Sequence, residues 1–313
     1  MLKPLIDKIR SQTHLTMWVV LAAMLPGTIA MTQMWGLGVM WNVAVMSAMC
    51  LGVEYLCVRA TKRTLDGSAM LTAWILALCL PPFTDLLVLA VAAVSAVGLA
   101  KHAYGGLGRN LFNPAMVGYA VVLVSFPQSL VIWPSDSVDA FTGATLLTDF
   151  RYREGLTVDE FNVHFADAVG ASRAIAFGFL LGGLALIYMR IIHWRLPLAM
   201  VIGIAMAGLV GYDQGSSESL GSLTFHLFAG GTVMAAFFVV TDPVTCPQAA
   251  RDQWIFGILV GILIYAMRAF SAYPDGIAFA ILLANCLSPL LDRYTLARSQ
   301  RDSNRIPTVQ TDD

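Results

Sequence analysis

The sequence predicts an all-α polytopic membrane protein, and three observations lead to that fold class. The 313-residue chain is 58% hydrophobic and 12% charged, with a mean hydropathy of +0.71, whereas soluble domains are about half apolar and about a quarter charged. The charges are clustered and leave apolar stretches of about 17–20 residues, enough to cross ~30 Å of hydrocarbon. Because a backbone in lipid must satisfy its own hydrogen bonds, these stretches are expected to be helices.

We expect about ten transmembrane helices. The apolar segments are 17–35, 38–57, 68–82, 85–101, 113–127, 174–190, 196–212, 222–241, 253–268 and 276–291. Segments 68–82 and 113–127 are short or carry Gly and Pro, which favours tilted or broken helices. No cleavable signal peptide is expected, because the first apolar run lacks a small-residue cleavage site and a second run follows at once.

The distribution of positive charge predicts the orientation of these helices. If the N-terminus is cytoplasmic, all but four of the 19 lysines and arginines fall on the cytoplasmic side, as the positive-inside rule requires. The exceptions are Arg151, Arg153, Arg173 and Arg268. We therefore predict a bacterial inner-membrane protein with this organisation: cytoplasmic N-terminus 1–16, first membrane half 17–127, periplasmic loop 128–172, second membrane half 173–292 and cytoplasmic polar tail 293–313.

The periplasmic loop separates five predicted spans from five, which indicates a 5+5 inverted repeat. An odd number of spans in each half places homologous halves in opposite orientations, as in many transporters. Segments 67–85 and 221–242 both begin with Gly-Ser and end with Thr-Asp. The last span of each half also combines asparagine with proline, at Asn113-Pro114 and at Asn285 and Pro289.

The loop contains the pattern with the most specific chemistry, Asp139-Ala-Phe-Thr142-Gly143-Ala144-Thr145. It has the form Asp-x-x-Ser/Thr-Gly-Ala-Thr, which a flavin transferase of the ApbE type recognises when it moves FMN from FAD onto a threonine. Thr145 would accept the phosphate, and the small Gly143 and Ala144 leave room for the donor. Asp139 would help to hold the metal-bound diphosphate of the donor. The product is a phosphodiester that leaves the flavin ring free for redox chemistry.

A near-copy of this motif, Asp167-Ala-Val-Gly-Ala-Ser172, provides an internal comparison. It lacks a hydroxyl residue before the glycine, has one residue fewer between aspartate and acceptor, and abuts a predicted span. We therefore expect no flavin on Ser172. For Thr145 itself the alternative is an ordinary polar turn, where Thr, Gly and Asp are common, and the motif alone leaves both interpretations open.

Two further stretches resemble a known family. Residues 67–72 (GSAMLT) with 78–82 (LCLPP), and residues 101–119 (KHAYGGLGRNLFNPAMVGY), are similar to the D subunits of Rnf electron-transport complexes. The B subunit of the sodium-pumping NADH:quinone reductase belongs to the same family. The resemblance covers residues 15–292. It implies a membrane subunit of a six-subunit oxidoreductase that links ferredoxin and NAD to a transmembrane Na⁺ or H⁺ gradient.

The resemblance also implies cofactors and partners. FMN on Thr145 would carry electrons, and non-covalent riboflavin is a second cofactor that relatives can hold. The implied partners are Rnf subunits A, B, C, E and G, the flavin transferase and the lipid bilayer. The chain has no nicotinamide motif, so we expect a translocase subunit that is catalytically incomplete alone. The alternative is a stand-alone channel or transporter with urea-transporter-like inverted repeats, in which the Thr-Gly-Ala-Thr sequence is incidental.

Net charge and cysteine pattern exclude other classes. The net charge of −1 gives no basic field for nucleic acid. The five cysteines form no CxxC pair, no Cys/His metal spacing and no disulfide framework, and four of them lie in or beside apolar runs. We expect them to behave as small hydrophobic residues.

Polar residues in or near the spans have competing interpretations. The glycine-rich connection with Lys101, Tyr104, Arg109 and Asn110 is either a tight turn with positive-inside anchors, which we favour, or a phosphate contact. The amides Asn113 and Asn285 either cap helix breaks or line an ion or ligand path. For Asp85 and Asp242, capping is favoured over a role in an ion path. We expect Glu54 to pair with Arg59 or to snorkel, and His226 to be a satisfied polar side chain.

Overall fold

The computed structural model describes residues 12–63, 65–131, 133, 146–153, 155–271, 273 and 275–303. Within these ranges the chain is helical and contains no β-strand, which confirms the predicted all-α class. Six helices are long and apolar enough to cross a membrane, and three shorter apolar helices accompany them. Together with the composition, they indicate a multi-pass membrane protein.

The first group of helices lies before residue 132. They are α1 (Thr13–Trp35), α2 (Gly38–Thr61), α3 (Ser68–Leu78), α4 (α-helical Leu86–Ala93 continued by π-helical Val94–Ala103), α5 (Pro114–Ser125) and α6 (Pro127–Val131).

The second group of helices lies after residue 145. They are α7 (Leu146–Arg151), α8 (Val158–His164), α9 (Ala166–Tyr188), α10 (Arg195–Gly211), α11 (Leu223–Phe228), α12 (Thr232–Met234 continued by π-helical Ala235–Val239), α13 (Ala250–Phe270) and α14 (Ile277–Ser303).

The predicted segment 222–241 is a broken helix. Its first part, α11, ends at Phe228, because Ala229 is extended and Gly230 has a left-handed φ of 64° before α12 begins. Segment 68–82 is helical only as far as Leu78, and α9 begins eight residues earlier than predicted, at Ala166. The count of ten spans and the inverted repeat therefore stay predictions.

Two helix pairs form the most extensive contacts in the described part of the bundle. Helix α9 runs along α1, and α10 runs along α13. Glycines line both contacts: a Cβ on Gly182 would overlap the carbonyl oxygen of Ala23, and a Cβ on Gly261 would overlap that of Met200. Such small residues let helices approach closely in a membrane, where van der Waals packing drives association.

The break after α3 is held by one buried amide. Asn42 of α2 donates from Nδ2 to the Pro81 carbonyl at 2.6 Å and accepts at Oδ1 from the Thr84 N–H at 3.2 Å. Asn42 has no exposed surface, so this amide replaces hydrogen bonds that the non-helical segment loses.

We expect Asn42→Leu to lower the free energy of unfolding by about 1–3 kcal/mol, because it leaves the buried Thr84 N–H unpaired and leaves the Pro81 carbonyl with the Thr84 hydroxyl as its donor. Gln33→Leu on exposed α1 surface is the control and should change it by less than about 0.5 kcal/mol. Denaturant titration of both variants in detergent measures the difference, and equal stability would refute the role assigned to Asn42.

Candidate functional site

The predicted flavin attachment residues Asp139, Thr142, Gly143, Ala144 and Thr145 lie outside the residues that the structure describes. Helix α7 follows them directly, beginning at Leu146. The side chains around α7 are therefore the described residues that follow the motif most directly, and they form the candidate site.

Helix α7 is fixed to the bundle by an aromatic cluster. Leu147 and Phe150 are buried in it with Val158, Phe161 and Phe225. The Phe150 ring stacks on Phe225 with centroids 4.1 Å apart and meets Phe161 edge-on at 5.1 Å. Each such pair is worth about 0.5–1.5 kcal/mol beyond the area it buries. The chain that follows Thr145 is thus packed firmly against α8 and α11.

Arg153 joins α7 to the loop before α11. Its guanidinium donates to the carbonyls of Phe150 and Leu156 at 2.9 Å, and to those of Ser217 and Ser219. It also lies 4.2 Å from the centre of the Phe150 ring. Burial lowers the pKa of the Arg153 guanidinium, but an arginine stays charged at neutral pH.

A cavity of about 290 Å³ opens beside α7; we call it the arginine cavity. Its walls carry three arginines and one glutamate among the following residues: Leu147, Phe150, Arg151, Arg153, Ser217, Glu218, Ser219, Leu220, Phe225, His226, Arg268 and Ala269. Arg151 donates to the Ser271 carbonyl. The cavity thus joins aromatic surface with an excess of positive charge.

Arg268 is the most buried of these arginines. It is 5% exposed and donates to the carbonyls of His226 at 2.7 Å and Ala229 at 3.2 Å, and to Asp275 Oδ1 at 3.2 Å. Its buried Nε has no hydrogen-bond partner.

His226 was expected to be a satisfied polar side chain, and this is met at one ring nitrogen only. Its Nε2 lies 2.8 Å from the Leu220 carbonyl, whereas the buried Nδ1 has no hydrogen-bond partner.

The structure brings the four predicted periplasmic arginines together around α7. Three line the arginine cavity, and Arg173 lines a second cavity of about 20 Å³ with Leu146, the first residue of α7. The sequence identified these arginines only as exceptions to the positive-inside distribution. All four lie on the same predicted side of the membrane. That shared side was a sign that they could form one site, and the sequence analysis did not use it.

The near-copy of the motif lies in a different environment. Asp167 and Ser172 are both within helix α9, and Ser172 Oγ donates to the Phe228 carbonyl at 2.8 Å. A hydroxyl engaged with a neighbouring backbone in a helix is a poor phosphate acceptor. The expectation that Ser172 carries no flavin stays a prediction.

Lys101 is a buried ion-pair residue. It is 2% exposed, and its Nζ contacts Glu54, which is 1% exposed, and Asp66 Oδ1 at 2.7 Å. The interpretation of Lys101 as a surface anchor is therefore wrong, and Glu54 pairs with Lys101 where Arg59 was expected. Burial opposes ionisation of Asp66, but hydrogen bonds from Lys101 and Ser68 outweigh it and lower the pKa of its carboxyl.

The rest of the glycine-rich connection is a tight turn. Gly105, Gly106 and Gly108 all have positive φ, a conformation that costs glycine little. Asn110 donates to the Phe112 carbonyl at 3.0 Å, and Tyr104 is half exposed. These features fit the turn interpretation that the sequence favoured.

Two of the four polar residues at span ends cap helices, and Asp242 lies in a turn where no helix begins, so the capping predicted for it is wrong. Asp85 accepts from the Leu87 N–H at 2.7 Å, and Asn113 accepts from two N–H groups at the start of α5. Asp242 accepts from Val244 within its turn and from Asn113 Nδ2 at 3.2 Å, which links the two halves. Asn285 is different, because both its amide atoms are buried inside α14 without a partner.

Comparison with known proteins decides the family. The family model for NQR2, RnfD and RnfE proteins matches residues 3–301. The chain belongs to the NQR2, RnfD, RnfE family. The resemblance drawn from residues 67–82 and 101–119 is thereby confirmed.

Relatives within the family are named as the D subunit of an ion-translocating oxidoreductase complex. The protein of Pseudomonas aeruginosa (strain UCBPP-PA14) is 40% identical over 316 residues, and that of Ectopseudomonas mendocina (strain ymp) is 38% identical over 317 residues. Both alignments cover 92% of this chain and 92% of the relative. The protein of Cellvibrio japonicus (strain Ueda107) is 36% identical over 324 residues, covering 92% and 91%.

The features described above all lie within the part of the chain that matches the NQR2, RnfD, RnfE family. The match includes the loop motif, the arginine cavity and the Lys101 ion pairs. Among the described residues, no group of three or more His, Cys, Asp or Glu side chains is arranged to hold a metal ion. All five cysteines are free.

Proposed function

We propose that this chain is the membrane-embedded D subunit of an Rnf-type ion-translocating oxidoreductase complex. It carries FMN through a phosphodiester on Thr145 and contributes to Na⁺ or H⁺ translocation. The observation that carries the proposal is the family match over 3–301 with relatives of this name at 36–40% identity. The Asp139–Thr145 motif supplies the attachment point within that match.

The residues around α7 fit such a flavin. Arg151, Arg153 and Arg268 line the cavity beside α7 with positive charge, and Phe150 and Phe225 form part of its wall. A flavin bound there supplies one- and two-electron transfer. The protein's own part is to hold the group beside α7 and to fix the charges around it.

The proposed assembly places this subunit in the inner membrane with Rnf subunits A, B, C, E and G, after maturation by a flavin transferase of the ApbE type. Both termini are cytoplasmic and the 128–172 loop is periplasmic. Riboflavin is a second, non-covalent cofactor. The other subunits complete the path between ferredoxin and NAD, for which this chain has no nicotinamide motif.

The packing supports a 5+5 inverted repeat as part of the proposal. In the first half, α2 packs against α4 and α4 against α5; in the second, α10 packs against α13 and α13 against α14. The helices α1 and α9, which begin the two halves, also pack against each other. This is the arrangement that two related halves would give around a shared axis.

Covalent flavin provides the direct test of the proposed function. The full chain is co-expressed with a flavin transferase, and the denatured protein is viewed under ultraviolet light on a gel. We expect a fluorescent band that Thr145→Val abolishes completely, because the acceptor hydroxyl is lost, and that Ser172→Ala leaves unchanged. A dark band from the unmutated chain would refute the flavin assignment and favour the stand-alone transporter.

A further inference from the structure

We propose that the first turns of α10 and α13 form a binding site for the headgroup of an anionic phospholipid. Two arginines, Arg195 and Arg251, bind its phosphate, and two tryptophans, Trp194 and Trp254, lie between them. We call these four residues the arginine–tryptophan site. It goes beyond the proposed function, depends only on the placement of the chain in a membrane, and shares no residue with the arginine cavity.

The two helices bring their first turns to the same end of the bundle. A Cβ on Gly257 of α13 would overlap the Cβ of Ala199 on α10. One turn further along both helices, a Cβ on Gly261 would lie 2.9 Å from the Cα of Gly203. Because the contacts advance together, α10 and α13 run in parallel, and their first turns lie at one membrane face.

A pair of tryptophans marks the membrane boundary at this end. The rings of Trp194 and Trp254 meet edge-on with centroids 5.9 Å apart, and Trp194 is 48% exposed. Tryptophan is enriched at the level of the lipid headgroups, because its ring is apolar and its N–H is polar. The Arg195 guanidinium lies 5.8 Å from the centre of the Trp194 ring, a cation–π distance that holds the charge at this level.

The positive charge of the site has no carboxylate partner. Arg251 is exposed and precedes Trp254 by three residues, so the two lie on neighbouring turns of one helix face. The adjacent Asp252 is 2% exposed and accepts a hydrogen bond from the Thr295 hydroxyl at 2.6 Å. Among the side chains that the structure describes, no salt bridge involves Arg195 or Arg251. Both guanidiniums are therefore available to an external anion.

Apolar surface continues from the site toward the middle of the membrane. Leu198, one turn beyond Trp194, is 43% exposed, and Ile258, one turn beyond Trp254, is partly exposed. This surface suits an acyl chain, whereas a free phosphate would make no use of it. Arginines bind phosphate oxygens through pairs of N–H groups, and basic pockets between membrane helices bind acidic lipid headgroups. The combination therefore selects a phospholipid over a soluble anion.

The positive-inside distribution alone does not explain this arrangement. It requires lysines and arginines on one side of the membrane, but it does not require tryptophans from two helices to meet beside them. The exposed Arg190 and His193, in the connection before α10, add to the basic character of the same end. We infer that the site binds a lipid headgroup with a defined position.

The test titrates the full chain, purified in a neutral detergent, with cardiolipin or with phosphatidylcholine. Native mass spectrometry measures the fraction of chains that retain a lipid. We expect cardiolipin to bind more tightly than phosphatidylcholine. Arg195→Gln and Arg251→Gln should each weaken cardiolipin binding about fivefold, and together about 25-fold, from the attraction of one arginine to an anionic lipid surface. Inorganic phosphate should not displace the lipid.

The matched control removes two charges from the end of α2, which lies on the same predicted side. Arg59→Gln combined with Lys62→Gln should leave cardiolipin binding unchanged, because both are exposed and no tryptophan lies at that end of α2. Equal weakening by the two double variants, or displacement of cardiolipin by inorganic phosphate, would overturn the inference. Loss of another subunit from the purified complex, with cardiolipin binding unchanged, would assign the site to a protein contact and also overturn it. If the double variant does not fold, the two single variants decide.

Discussion

Gly182→Ala is expected to disrupt the bundle severely, although it adds only one methyl group. Gly182 lies on α9 at its closest approach to α1, and a Cβ would overlap the backbone carbonyl of Ala23. Because the obstacle is backbone, no side-chain rotation relieves the clash, and the two helices must separate. Overpacking costs about 1–3 kcal/mol and occasionally more, and we expect at least ~3 kcal/mol. Denaturant titration of the purified variant in detergent measures this loss.

Gly170→Ala on the same helix is the control. A Cβ on Gly170 meets nothing within 4 Å, so the helix should gain up to about 1 kcal/mol from the better helix propensity of alanine. Opposite signs for the two variants are the expected result. Equal, small effects would mean that α1 and α9 are not in close contact.

Lys101→Met is expected to destabilise the protein by about 3–5 kcal/mol, because it leaves the buried Glu54 carboxylate without its cation. Asp66 also loses a hydrogen-bond donor, but it is partly exposed and water replaces part of the contact. The loss is measured as the change in free energy of unfolding relative to the unmutated chain.

Two further variants separate charge from packing. Lys101→Met combined with Glu54→Leu removes both buried charges and should recover most of the lost stability, since replacing a buried ion pair by apolar groups is often neutral. Lys62→Met, at an exposed position near the same end of α2, should have almost no effect. A double variant as unstable as the single one would contradict the ion-pair explanation.

Different forces act at Gly182 and at Lys101 within the same bundle. The contact at Gly182 depends on shape, because lipid is as apolar as leucine and gives no hydrophobic gain between helices. The Lys101 cluster depends on charge, which inside a membrane must be paired. Both contacts join residues that are far apart in the sequence. Gly182 contacts Ala23, and Lys101 contacts Glu54, only after the helices have assembled.

Residue type and order along the chain were enough to predict several features. Hydropathy predicted the all-α class, and the sequence blocks at 67–82 and 101–119 predicted the family. The class and the family are both confirmed. Capping by Asp85 and Asn113 was foreseeable because short polar side chains favour such positions. The Thr145 motif is likewise a property of local sequence, and its flavin stays a prediction.

Tertiary structure decided the features that depend on distant partners. The break after Phe228 within one apolar segment, and the pairing of Lys101 with Glu54 and Asp66, could not be read from neighbouring residues. The charge count marked Arg151, Arg153 and Arg268 as exceptions, but only folding brings them to one cavity. Local sequence thus determined the helices and the attachment motif, because propensity and hydropathy act over short range. The surroundings of α7 arise from residues that are more than 100 positions apart in some cases, as the bond from Arg151 to the Ser271 carbonyl shows.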